Sequence, residues 1–323
     1  FCVANALDTI SNSKSIFDTA GFYWNIDGKI KTNQIPHFIE DLSQLEFPDT
    51  SVYEDWMVCN CNNELEMVLS RGCPYECSYC SNKALKDMYP SSRGYFRIPS
   101  IEYTIELIEG LVKRYPQAKN LSFNDDLLIA NKKWYAGFAE EYTKKIGLPY
   151  RINVKPETLT PEIVKVLKES GCYLTMMGLE SGNEQLRKKL LNRHYSNKLV
   201  YEKSKLIKDA DILLSTFNIV GWPYETKEEM LETLEINREI GADTGVCAFF
   251  YPFRGTELYR LCKKDDLLKE ENTRTDCNSA PNIKLTRVSE EDCIHIHHKL
   301  MKFFMGTKET VEFNFSHAYL CKE

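Results

Sequence analysis

Three cysteines crowd into eight residues of the stretch SRGCPYECSYC. Cys73, Cys77 and Cys80 stand in the spacing Cys-x3-Cys-x2-Cys. Thiolates are the usual ligands of iron–sulfur clusters, which normally take four. Three on one short loop can hold three irons of a 4Fe-4S cluster and leave the fourth open to a chelating ligand that is not protein. The competing chemistry is structural zinc, which wants four protein ligands, often as two spaced pairs. No His or fourth Cys follows at that spacing. Cys59 and Cys61 lie upstream, however, so a four-cysteine zinc site in a non-catalytic protein stays open. His295, His297 and His298 are the one histidine cluster. None of their spacings is the i,i+4 of a helical metal site, and a polar helix face accounts for them better.

A loop of this kind needs a scaffold to hold it. From about residue 65 to 253, short apolar, β-branched or aromatic runs alternate with longer segments of helical period. The runs fall at 65–70, 119–124, 149–154, 173–179, 213–220 and 244–251. Helical patterns fall at 100–115, 131–146, 160–170, 196–209 and 225–240, several behind start signals such as Ser100, Thr160-Pro161 and Thr226. Six strand–helix units in a row predict parallel strands with crossover helices. They are too few for a closed eight-fold barrel, which leaves an α/β partial (β/α)6 TIM-like barrel or an open doubly wound sheet. Residues 1–60 differ. Asp27-Gly28 between alternating runs predicts a hairpin, followed by a connector. A helical C-terminal tail occupies 256–323, with helices near 255–264 and 289–305. The expected division is 1–60 connector, 61–255 barrel and 256–323 extension.

The bulk numbers set limits. The chain has 323 residues and a net charge of −6, which argues against nucleic acid as a dedicated partner. No apolar run approaches the roughly 18 residues of a membrane span. The start, FCVANALDTI, has neither an initiator Met nor the shape of a signal peptide. The chain is expected to be a piece of a longer protein. Twelve cysteines without a secretory signal fit a reducing, cytoplasmic setting. Cys172 and Cys247, beside apolar runs, are expected as buried thiols.

In a parallel barrel, ligands collect at the C-terminal ends of the strands. Asn124, Asp125 and Asp126 end the second strand, where the two Asp could instead cap a helix. GLESGNEQL follows the fourth strand and carries Glu180, with Asn192-Arg193 beyond it. FNIVGWPYET follows the fifth, where Gly221 would permit close backbone approach to a ligand. Glu225 and Thr226 are expected as helix-start residues. Trp222, Tyr224, Phe250 and Tyr251 could line a pocket or simply pack.

Together these stretches resemble the radical S-adenosylmethionine (SAM) superfamily, over roughly 190 residues and in the family's order. The resemblance implies a 4Fe-4S cluster on Cys73, Cys77 and Cys80. It also implies SAM chelated at the open iron, reductive cleavage to a 5′-deoxyadenosyl radical, and an external electron donor of flavodoxin or ferredoxin type. It places Tyr79 against the adenine and Glu180 near the ribose or methionine part. Asn124, Asp125 and Asp126 would stand at the methionine ammonium, with Asp125 or Asp126 accepting its hydrogen bonds, although NDD departs from the family's Gly-Gly-Glu there. Arg193 would pair with the methionine carboxylate, and Gly221 would present backbone to the adenine. Residues 1–60 resemble the connector that precedes the barrel in the cobalamin-binding-domain subfamily, so cobalamin in the full-length protein is implied. A methylthiotransferase is the alternative within the superfamily. The substrate is not readable.

Overall fold

The computed structural model describes residues 2–12, 15–53, 63–89, 91–269 and 277–306. Six parallel strands form one sheet in the order β3-β4-β5-β6-β7-β8. They are Glu64–Met67 (β3), Asn120–Phe123 (β4), Tyr150–Val154 (β5), Cys172–Glu180 (β6), Leu213–Val220 (β7) and Thr244–Phe249 (β8). All six predicted runs are strands. Each strand pairs with its neighbour in sequence. A doubly wound sheet would reverse its strand order at a switch point; this one does not, and it curls into a half-barrel with helices on its outer face.

An antiparallel pair, Tyr23–Ile26 (β1) and Lys29–Thr32 (β2), precedes the barrel. Its turn residues Asp27 and Gly28 have φ of 50° and 79°, the left-handed pair that a two-residue hairpin loop demands. The connector then runs against the barrel. The Arg97 guanidinium donates to the Ile39 carbonyl at 2.9 Å, and the Ser100 N–H donates to Ser43 Oγ at 2.7 Å.

The helices are Cys2–Ser11 (α1), Ser81–Asp87 (α2), Ile101–Arg114 (α3), Lys132–Lys145 (α4), Pro161–Glu169 (α5), Glu184–Lys189 (α6), Asn197–Asp209 (α7), Lys227–Glu239 (α8), Glu257–Lys264 (α9) and Glu290–Gly306 (α10). Their starts are set by side chains that accept from exposed backbone N–H groups. Ser100 accepts from Tyr103 N–H, Thr160 from Ile163 N–H with Pro161 in the first turn, and Thr226 and Glu229 form a reciprocal capping box. Apolar residues at helical spacing, such as Ile105 and Ile108 on α3, are buried against the strands' outward residues Leu65, Phe123 and Ile152. Each such side chain contributes about 1.5–3 kcal/mol.

The tail helix α10 lies along β8 and α8. Here the histidine expectation fails in part. His295 and His298 are exposed, but His297 is buried against the Phe249 ring at 4.3 Å, its Nε2 2.8 Å from the Cys247 carbonyl. Burial holds its pKa below the usual value, which suits a neutral core imidazole. Cys172 and Cys247 are buried thiols, as expected.

Candidate functional site at the barrel mouth

The cysteine loop leaves the C-terminal end of β3 and is tied down from several sides. Asp125, fully buried just after β4, accepts from the backbone N–H of Leu69 at 3.1 Å and from both the N–H and the hydroxyl of Ser70. Gly72 then passes so close to the next segment that a Cβ there would lie 2.4 Å from the Tyr95 carbonyl oxygen, and its φ is +80°. Only glycine fits such a position. The Asn192 amide donates to the Glu76 carbonyl at 2.7 Å, Ser78 N–H donates to Leu191, and Leu258 N–H at the start of α9 donates to the Ser78 carbonyl at 3.2 Å. From the end of β5, the Lys155 ammonium sits 3.2 Å from the centroid of the Tyr75 ring, between Cys73 and Cys77 in sequence.

Within this loop Cys77 is buried, Cys73 and Cys80 are half-buried, and none is in a disulfide. Burial pushes the Cys73 thiol up to about 11 and raises Cys80, with the Asp126 charge adding to both. Cys73 also feels the charge of Cys80 and Cys77, and Cys80 that of Cys77. Such thiols need positive charge beside them to ionise, as a bound metal would supply. Among the described residues no group of three or more His, Cys, Asp or Glu side chains is drawn together to hold a metal ion. Cys59 and Cys61 lie outside the described residues.

A charged group at and beyond the end of β6 meets the loop at Tyr79. Arg193 is almost fully buried. It donates to Glu180 at 2.8 Å, to the Tyr79 hydroxyl at 3.0 Å and to the Gly178 carbonyl at 2.6 Å, while its Nε has no partner. Burial alone would lower its pKa; Tyr195, Tyr79 and Glu180 outweigh burial and hold it well above the ordinary value. Glu180 adopts φ of +68° at a register shift of β6. A non-glycine residue there costs of order 1–3 kcal/mol and persists only where its surroundings impose it. Tyr79 meets the Trp222 ring edge-on at 5.1 Å. Burial, then the Glu180 charge, raises its hydroxyl well above the usual value.

Gly221 has φ of +77°, and its N–H, with that of Trp222, donates to one oxygen of Glu225 at 2.7 and 3.1 Å. Glu225 is therefore not a helix-start residue; Thr226 alone takes that role. Burial pushes the Glu225 carboxyl up to about 8, and its other oxygen is buried without a partner. Trp222 and Phe250 belong to a second core cluster rather than to an open pocket.

The structure thus brings together Tyr79, Glu180 and Arg193. It ties Asp125 to the cysteine loop through both oxygens and leaves Asp126 exposed near Cys73 and Cys80. Asn124 sits lower, donating to Glu66 at 2.8 Å and accepting from Ser122. Three participants carried no motif: Lys155, Tyr195, whose hydroxyl donates to the Leu179 carbonyl at 3.1 Å, and the fully buried Arg187 stacked on Tyr195.

The radical SAM superfamily profile matches residues 67–236, just over half of the chain. The chain belongs to the radical SAM superfamily. It is 22% identical over 315 residues to an uncharacterized methyltransferase of Pyrococcus horikoshii, covering 96% of this chain and 67% of that protein. It is 30% identical over 200 residues to the tRNA-2-methylthio-N(6)-dimethylallyladenosine synthase of Clostridium perfringens, covering 57% of this chain and 41% of that one. Among solved structures, the cobalamin-dependent SAM radical enzyme OxsB, with aqua-cobalamin and SAM bound, matches with a TM-score of 0.70 at 14% identity, over 92% of this chain and 49% of that one. The radical SAM chain therefore spans about two fifths to two thirds of the length of these proteins, and it shares the half-barrel fold with OxsB. Among the described residues no helix is long and apolar enough to cross a membrane.

Proposed function

We propose that Cys73, Cys77 and Cys80 hold a 4Fe-4S cluster whose open iron takes SAM, and that the chain is the radical barrel, 61–255, of an enzyme of the cobalamin-dependent kind. When bound, the cluster supplies the electron that cleaves the sulfonium S–C5′ bond to give a 5′-deoxyadenosyl radical. The observation that carries this reading is the cysteine loop anchored by Asp125 and Lys155, whose Tyr79 is held by the Arg193–Glu180 pair. These side chains position and exclude water; none of them needs to break a bond. The Arg193 guanidinium fixes the Tyr79 ring beside Trp222, where an adenine would pack. Glu180 presents a carboxylate that accepts hydrogen bonds from ribose hydroxyls. Asp126, exposed beside Cys73 and Cys80, fits the methionine ammonium better than Asp125, whose oxygens serve the loop.

The reaction on substrate is read as methyl transfer or a related transformation, with cobalamin carried by sequence outside this chain, residues 1–60 as the connector and 256–323 as the extension. The methylthiotransferase reading has the match to the tRNA-modifying synthase in its favour, but that match covers 57% of this chain and 41% of that protein. Metal analysis after anaerobic reconstitution tests the cluster. About four irons with sulfide per chain are expected; one zinc per chain and no sulfide would overturn it.

A further inference from the structure

The strands of the half-barrel turn alternate side chains to the helices and to the lumen. The outward set, including Leu65, Phe123, Ile152 and Phe249, is fully buried. The lumen set is not, and it divides by strand. On β3 to β5 it is polar: Glu66, Asn124, Arg151 and Asn153. On β7 and β8 it is apolar: Phe217, Ile219, Val246 and Ala248 all keep part of their surface exposed inside the barrel. Their register sets Phe217 beside Val246 and Ile219 beside Ala248, one continuous wall. Apolar side chains left uncovered on an inner face ask for an apolar partner.

The polar wall has a definite sign. At its base Arg151 pairs with Glu64 at 2.7 Å, both side chains only 12% exposed, and Tyr173 donates to the same carboxylate. That pair is neutral and closes the floor. Above it Glu66, 54% exposed, holds only the Asn124 amide at 2.8 Å and the edge of Arg151 at 3.4 Å. Arg151, Glu64 and Glu66 together leave one negative charge over, and the Lys155 ammonium is turned away to Glu157 at 3.5 Å and to the Tyr75 ring. Asn153 adds an acceptor. Its amide nitrogen donates to the Asp125 carbonyl at 2.8 Å, which fixes which end is oxygen, and that oxygen is buried without a partner. A buried acceptor left unmatched is costly, and a ligand donor would recover that cost. Lys155, two residues beyond Asn153 on the same face, reaches the cysteine loop, so the chamber extends up to it.

We propose that the lumen is a binding chamber for an amphipathic amine, its cationic head on Glu66 and the Asn153 oxygen and its aromatic or aliphatic body on Phe217, Val246 and Ala248. This names a substrate class for the proposed radical enzyme and rests on that reading only for the chemistry that follows binding. The test is a ligand-observed NMR titration of the reconstituted protein with 2-phenylethylamine, 2-phenylethanol and phenylacetate, three probes of one shape and different charge. The amine is expected to bind about tenfold tighter than the alcohol, as one charge-assisted hydrogen bond of about 1.4 kcal/mol gives, with phenylacetate weakest. Glu66→Gln should erase the amine's advantage, and Ala248→Trp should weaken all three. Equal binding of amine and alcohol, preference for phenylacetate, binding of none, or a preference that survives Glu66→Gln overturns the inference. Release of 5′-deoxyadenosine, measured on the same samples, separates the two claims. If it persists without amine preference, only the chamber falls; if amine preference holds without it, only the radical reading falls.

Discussion

Replacing Asp125 by Asn should destabilise the metal-free protein, not merely weaken SAM binding. The side chain is fully buried, and its two oxygens accept from Leu69 N–H, Ser70 N–H and the Ser70 hydroxyl. Asn has the same shape but one acceptor, so its NH2 would face a backbone N–H. Losing one hydrogen bond to a charged group costs about 1.5–3 kcal/mol, and leaving a buried N–H unmatched costs about 1–3 kcal/mol. The two overlap, since both count the same donor, and about 3 kcal/mol is the working value. At about 2–4 °C per kcal/mol for a chain of this size, Tm should fall by about 6–12 °C in differential scanning calorimetry of protein without iron. Retention of iron after reconstitution should fall with it. Asp126→Asn, at an exposed position, should leave Tm unchanged and raise only the SAM concentration needed for half-maximal turnover. An Asp125→Asn protein with the wild-type Tm and a weakened SAM affinity would refute this assignment and return Asp125 to the ligand.

Three further outcomes follow from the same geometry. Arg193→Met leaves Glu180 buried without its partner, so a loss of about 3–5 kcal/mol is expected in urea unfolding, and an unchanged midpoint would show the pair to be dispensable. Glu225, raised to about 8 in the fold, binds its proton more tightly folded than unfolded. Its contribution to stability is therefore full below the ordinary carboxyl range and is lost as pH rises towards about 8, at up to about 1.4 kcal/mol per pH unit; Tm of Glu225→Gln against pH should lack that descent, and parallel curves would count against it. Lys155→Met removes a buried ammonium beside the cysteine loop and should shift the cluster midpoint, followed by EPR, to more negative potential, while Lys155→Arg should restore it; identical midpoints in all three proteins would contradict that role.

The half-barrel was legible because its signals are local. Runs such as LLSTFNIV and helix starts such as Ser100 and Thr226 announce themselves within a few residues, and the strands fall within one to three residues of the runs read from sequence. The cysteine triad and the Asp27-Gly28 turn are local in the same sense. What stayed hidden depends on contacts far apart in the chain. Asp125 looks like a helix cap beside its neighbours; its partner is Ser70, 55 residues away. Lys155 and Arg187 look like ordinary surface charges until β5 and α6 fold them inward. His297 differs from His295 and His298 only in the face of α10 that β8 covers. Glu225 reads as part of a helix start, yet its carboxylate turns back to the Gly221 and Trp222 amides.

The most direct measurement is 5′-deoxyadenosine formed from SAM by the anaerobically reconstituted protein with dithionite, wild type beside Cys77→Ala. The account predicts product from the wild type and none from the variant. Product at the wild-type rate from Cys77→Ala, or none from a wild-type protein carrying its full iron and sulfide, would contradict it.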